Sequence, residues 1–196
     1  MIVIFVFMNS FEADIEQCLS VLRNGGTILY PTDTIWGIGC DATNEVAVEK
    51  IIDIKNRPAQ KSFVILVADE RELSEYIVSL DTAVFNYLDT IAKPTTVIYD
   101  HAIGLAENVV AANGSVAIRV CKDEFCKHLI KRFGKPVVST SANLSGQISP
   151  SVFQEIDAKV INGVDYVVKY RQLENTPAHA SAIVQWKNGE VMIIRP

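Results

Sequence analysis

Histidine and cysteine are scarce in this chain, and neither is arranged for chemistry. The 196 residues hold His101, His128 and His179, and Cys18, Cys40, Cys121 and Cys126, with no C-x-x-C pair and no His/Cys/carboxylate group at metal-ligand spacing. That pattern speaks against a zinc site or a redox dithiol. A chain of this length needs no disulfide framework, so reduced thiols and a cytoplasmic location are expected. Long apolar runs are missing as well. Met1 to Phe7 is apolar, but it is too short to span a bilayer and carries no basic leader, so it reads as a buried first strand and no membrane contact is expected. Also absent are G-x-x-x-x-G-K-[ST], G-x-G-x-x-G and G-x-S-x-G, which removes the phosphate loop, the dinucleotide fingerprint and the nucleophile elbow. A cationic excess is lacking too. Eighteen Lys and Arg face 23 Asp and Glu, a net charge of −5, which argues against a general nucleic-acid or anionic-membrane binder. There is no internal repeat, linker or low-complexity segment, and one domain over 1–196 is expected.

What is present is an ordinary globular balance, 49% hydrophobic and 21% charged. Its periodicity alternates short apolar runs with amphipathic helices, which predicts an α/β fold. A helix is expected from Phe11 to about Asn24, capped by Ser10 and ended by Gly25-Gly26, followed by a strand over Thr27 to Tyr30. That strand empties into Pro31-Thr32-Asp33-Thr34, with Gly37 and Gly39 allowing close backbone approach. A second helix covers Asn44 to about Lys55 and must stop before Pro58, so Lys55 and Arg57 can both turn toward one site. Strands are expected over Phe63 to Val67, Val97 to Tyr99 and Val116 to Cys121, with one or two helices between Glu70 and Asn86 that break at Ser79-Leu80-Asp81. Arg119 stands out, because a lone Arg flanked by Ile118 and Val120 must face water or meet an anion. Asp123 to Phe133 is a well-signed helix closed by Gly134, and it delivers the chain to Val137-Val138 and then to Ser139-Thr140-Ser141-Ala142-Asn143-Leu144-Ser145-Gly146. A helix near Val152 to Lys159, a strand at Tyr166 to Val168 and a hairpin turned at Asn188-Gly189 complete the chain, and the polar loop from Arg171 to Ala180 is a candidate to close over a site.

The chemistry-bearing residues are cations (Lys55, Arg57, Arg119, Arg195) and hydroxyls or amides (Thr32, Thr34, Thr96, Ser139, Ser141, Asn143, Ser181) at strand exits and element ends. No nucleophile is obvious among them. Such a set suits a polyanion such as a nucleoside triphosphate, whose reactions rest on positioning and charge neutralisation. A hydroxyl-rich strand exit is also where an α/β sheet places its ligands.

Four blocks, Gly26 to Asp41, Lys55-x-Arg57-Pro58, Ala117-Ile118-Arg119-Val120 and Ser139 to Gly146, together resemble the YrdC/Sua5 family of threonylcarbamoyl-AMP synthases, in the family's order and over nearly the whole chain. The resemblance implies a twisted mixed sheet flanked by helices with a concave basic cavity, in the short single-domain form. It also implies synthesis of L-threonylcarbamoyladenylate from L-threonine, bicarbonate and ATP, with Mg²⁺ carried by the ATP and pyrophosphate released. A downstream tRNA threonylcarbamoyl transferase complex would use the product on the adenosine beside the anticodon. Lys55, Arg57, Ser141 and Asn143 match the family's tetrad around the nucleotide, with Lys55 and Arg57 neutralising the phosphates. Thr96, Ser149 and Arg195 fall where the family contacts ATP, and Thr34, Arg119, Ser139 and Ser181 where it holds threonine. Several blocks depart from the pattern. Ile91 to Thr96 keeps only the proline and threonine of the usual Trp-Pro-Gly-Pro-x-Thr, Ser181-Ala182 replaces Ser-Thr, and Trp36 replaces Tyr. Two other readings remain: an RNA-binding module without catalysis, drawing on the basic segments Lys50 to Lys61 and Lys122 to Lys135, and carbamoyl transfer as in hydrogenase-maturation relatives.

Overall fold

The computed structural model describes residues 11–56, 63–187 and 189–196. The predicted first strand, the Ser10 cap, Arg57 with Pro58, and Asn188 of the hairpin turn lie outside the described residues. Helix α1 (Glu12–Arg23) buries Ile15, Cys18, Leu19 and Leu22 on one face, and its N-terminus rests on Phe11 with no side-chain cap. Phe11 packs edge-on against Phe125 and Tyr170, with centroids 5.7 and 5.1 Å away. Helix α2 (Glu45–Lys55) starts where the Asn44 side chain accepts from the Ala47 amide, and it ends on left-handed Asn56. Helix α4 (Glu124–Phe133) is capped by Asp123 and closed by Gly134 at φ +75°. Only glycine takes that conformation without penalty.

Among the described residues, nine strands form one twisted mixed sheet: β1 (Ile28–Tyr30), β2 (Gly37–Gly39), β3 (Val64–Val67), β4 (Thr95–Tyr99), β5 (Val116–Val120), β6 (Val137–Ser141), β7 (Tyr166–Val167), β8 (Ala182–Lys187) and β9 (Glu190–Arg195). Their spatial order is β7-β1-β2-β6-β3-β5-β4-β8-β9. Pairings β1–β7, β3–β5 and β4–β8 are parallel and the rest antiparallel. Strand β6, fourth in this order, joins two half-sheets by pairing with β2 on one side and β3 on the other.

Three elements differ from the sequence expectation. Gly37–Gly39, read as part of a polar strand exit, is strand β2. Its glycines are explained by the buried Tyr30 ring, which crosses this strand to donate from its hydroxyl to the Val138 carbonyl at 3.1 Å. A Cβ at Gly39 would stand 2.6 Å from Tyr30 Cε1 and 2.5 Å from the Val138 oxygen. Strand β6 runs on through Ser141, so Ser139 and Ser141 project from the sheet rather than from the following loop. The helix expected near Val152 to Lys159 divides into a 3-10 turn (Phe153–Glu155) and α5 (Ala158–Gly163), because the Asp157 side chain caps a new start at Lys159. Residues Glu70–Glu75 likewise form a 3-10 helix, separated by the expected break from α3 (Ala83–Asp89).

Candidate active site

The sheet's middle strands and their exits enclose a cavity of about 220 Å³, lined by Thr34, Ile35, Trp36, Gly37, Val64, Arg119, Ser139, Thr140, Ser141, Ser149, Ala180, Ser181, Ile183 and Arg195. Pairing explains the grouping. Val64 of β3 sits between Ser139 of β6 and Ala117 of β5, which puts the β6 hydroxyls beside the β5 positions that include Arg119. Ile183 and Arg195, paired across β8 and β9, complete the far wall.

Arg119 is 4% exposed and meets an anion, the protein's own Asp33, with Nη2 3.0 Å from Oδ1. Sequence reasoning missed Asp33 as its partner. The only signal was an acid between two threonines at a strand exit. The same Nη2 donates to Thr34 Oγ1 at 3.2 Å. Thr32 Oγ1 donates to the Ile35 carbonyl (2.9 Å) and accepts from the Thr34 amide (3.0 Å). Its one proton is thus committed, and the 2.9 Å contact between the two threonine hydroxyls has Thr34 donating. Thr34 therefore offers a ligand only an acceptor lone pair, so the group it meets must be a donor such as an ammonium or hydroxyl.

On the opposite wall Arg195 donates from Nε and Nη2 to the Ser181 carbonyl at 3.0 and 2.8 Å. Partial burial, and then the neighbouring Arg119 guanidinium, hold the Arg195 pKa below its ordinary value. Two cations facing one cavity favour an anionic occupant. Thr96 is fully buried beneath this wall, its hydroxyl 2.8 Å from that of Ser181.

Lys55 lies under the β6 exit rather than on the cavity wall. It is 2% exposed, and its ammonium donates to the carbonyls of Ser141 and Asn143. In return the Ser145 amide donates to the Lys55 carbonyl at 2.8 Å. Asn143 closes its own loop by donating from Nδ2 to the Leu144 and Gln147 carbonyls, and its buried Oδ1 has no partner among the described residues. Ser149 stands at the exposed rim. The structure thus gathers Thr34, Arg119, Ser139, Ser141, Ser149, Ser181 and Arg195 on one cavity, with Lys55, Asn143 and Thr96 as supports behind it. Arg57 lies outside the described residues. The apolar lining from Trp36, Val64 and Ile183 was not anticipated, because nothing in a short apolar run reveals which residue borders a cavity. Among the described residues, no group of three or more His, Cys, Asp or Glu side chains is placed to hold a metal ion, and no helix is long and apolar enough to cross a membrane.

Fold and site together define an α/β protein whose mixed sheet carries a hydroxyl-rich cavity with two guanidinium groups on its walls. The family model named Sua5_yciO_yrdC, with the description "Telomere recombination", matches residues 20–196. The chain belongs to this family. Curated relatives named threonylcarbamoyl-AMP synthase include those of Idiomarina loihiensis, 34% identical over 78% of this chain and 83% of theirs, and Pseudoalteromonas translucida, 30% identical over 93% and 98%. Among solved structures, P. abyssi Sua5 complexed with L-threonine shares the fold at a TM-score of 0.82 and 21% identity, covering 94% of this chain. This chain spans 54% of that one. E. coli YciO matches at a TM-score of 0.77 and 23% identity, over 93% of this chain and 88% of its own.

Proposed function

We propose that this protein is a threonylcarbamoyl-AMP synthase, making L-threonylcarbamoyladenylate and pyrophosphate from L-threonine, bicarbonate and ATP. The observation that carries the reading is the 30–34% identity to enzymes of that name over most of both chains. The cavity's chemistry supports it. Its volume suits an amino acid, with the nucleotide extending outward past Ser149. Thr34, Arg119, Ser139 and Ser181 would hold threonine. Arg119 would take the carboxylate, and Thr34, able only to accept, would take the ammonium or hydroxyl. The amine, once deprotonated, adds to CO2 derived from bicarbonate, and the carbamate oxygen attacks the α-phosphorus as pyrophosphate leaves.

Ser141, Ser149, Arg195 and Arg57 would contact the nucleotide, with Lys55, Asn143 and Thr96 fixing the walls that carry Ser141 and Arg195. Charge accumulates on the phosphate oxygens in the transition state, so fixed cations there stabilise it more than the ground state. Magnesium enters with ATP as part of the substrate, held by the phosphates and water. A tRNA threonylcarbamoyl transferase in the cytoplasm is the expected consumer of the product.

The RNA-binding alternative is weakened by the neighbours of its basic residues. Lys135 pairs with Asp41, Arg132 with Glu12 and Glu16, and Lys127 with Glu124. The deciding experiment measures pyrophosphate release by the purified protein with L-threonine and bicarbonate present or withheld. Release that needs both supports the reading, and none in a folded protein overturns it.

A further inference from the structure

Arg171 is one of four non-glycine residues with positive φ among the described residues, at +66°. An L-residue holds that conformation only when its surroundings over-determine it. Three contacts do so here. Nε donates to Glu174 Oε2 at 2.7 Å, Nη1 to Asp123 Oδ2 at 2.9 Å, and Nη1 also to the Thr32 carbonyl at 3.4 Å. The backbone just before it is anchored as well, the Lys169 and Tyr170 amides donating to the Asp14 carboxylate. Beyond it the Ala178 amide donates to the Ser151 carbonyl, after which the chain supplies Ala180 and Ser181 to the cavity. Arg171, Glu174, Thr176 and Ala178 of this loop share a gap of about 30 Å³ with Thr32, Thr34 and Trp36 of the turn.

We infer that Arg171 is a positioning residue for threonine binding, fastening loop 171–180 onto the Thr32–Thr34 turn so that Thr34 and Ser181 face one another across the cavity. The inference rests on the synthase reading above. Its physical basis is that Arg171 reaches the turn at Thr32, whose hydroxyl fixes Thr34, while Asp123 anchors the guanidinium to the capped start of α4. One planar guanidinium serves the carboxylates of Glu174 and Asp123 and the Thr32 carbonyl together, which a lysine ammonium lacks the span to do.

The test compares steady-state pyrophosphate release and thermal melting for wild type, Arg171→Gly and Arg171→Lys. Glycine relieves the backbone strain but removes the fastening. The expected result for Arg171→Gly is a KM for L-threonine raised about tenfold, with kcat and the KM for ATP within twofold of wild type and a melting temperature that does not fall. Arg171→Lys, which keeps contact with Asp123 alone, should recover part of the loss. Combined with Thr34→Val, Arg171→Gly should add little to the threonine KM, because both act through one turn. An unchanged threonine KM in Arg171→Gly, or parallel losses of kcat, both KM values and melting temperature, would overturn the inference and leave the synthase reading standing. A wild-type protein without threonine-dependent release would overturn both.

Discussion

At the scale of single residues, the Arg119–Asp33 pair decides most. A buried guanidinium is tolerable because a carboxylate lies 3.0 Å away, and either partner alone leaves an uncompensated charge. Arg119→Ala is expected to lower unfolding free energy by about 3–5 kcal/mol, and Arg119→Ala with Asp33→Ala to regain much of it, as read by urea denaturation. Neither variant should form adenylate, since threonine's carboxylate loses its partner. Thr34→Val keeps the shape of the turn but removes the acceptor, so its threonine KM should rise with little change in melting temperature. Arg119 was conspicuous in sequence as a charge within an apolar strand. Its partner was not, because Asp33 lies in a different block of the chain and only strand pairing brings the two together.

Among the elements, β2 and the α2 terminus each make a separable prediction. Gly39→Ala would drive a Cβ into the Val138 carbonyl and the Tyr30 ring at 2.5 and 2.6 Å. Backbone on one side and a packed ring on the other cannot both yield, so about 1–3 kcal/mol should be lost, measurable by chemical denaturation. Gly37→Ala would meet the Ser139 hydroxyl at 3.0 Å, a group that can rotate. It should cost less stability while disturbing a cavity hydroxyl, so turnover should suffer more than melting temperature. Lys55→Met removes the donor from the Ser141 and Asn143 carbonyls. We expect a lowered melting temperature together with turnover reduced on the order of 10² or more, because the end of β6 at Ser141 and the Asn143 loop beyond it lose their tie. Near wild-type turnover would show that the tie is dispensable. Helices α1, α2 and α4 were legible from periodicity, and Gly134 closes α4 as read. Strand β2 was not legible, since two glycines in three residues carry no strand signal and their cause, the Tyr30 ring, comes from the neighbouring strand.

For the whole molecule, the sheet order places β6 between the two half-sheets, three strands on one side and five on the other, so the stretch richest in hydroxyls lies inside the sheet and away from both edges. A protein built this way should show pyrophosphate release that depends on both threonine and bicarbonate. It should also bind duplex RNA weakly or not at all, because Lys127, Arg132 and Lys135 of its basic face are paired with carboxylates of its own surface. Steep, salt-sensitive RNA binding in a filter or polarisation assay would contradict the latter. The amino-acid sequence by itself determined the α/β class, the placement of helices α1, α2 and α4, the family and the residue types of the site, because periodicity and local motifs are properties of neighbours along the chain. Only the tertiary structure decided which of those residues share a wall: that Arg119 meets Asp33, that Lys55 grips the loop carbonyls from behind, and that Arg171 reaches back to Thr32. Those are contacts between distant segments, fixed by sheet order and register, and no local pattern encodes them.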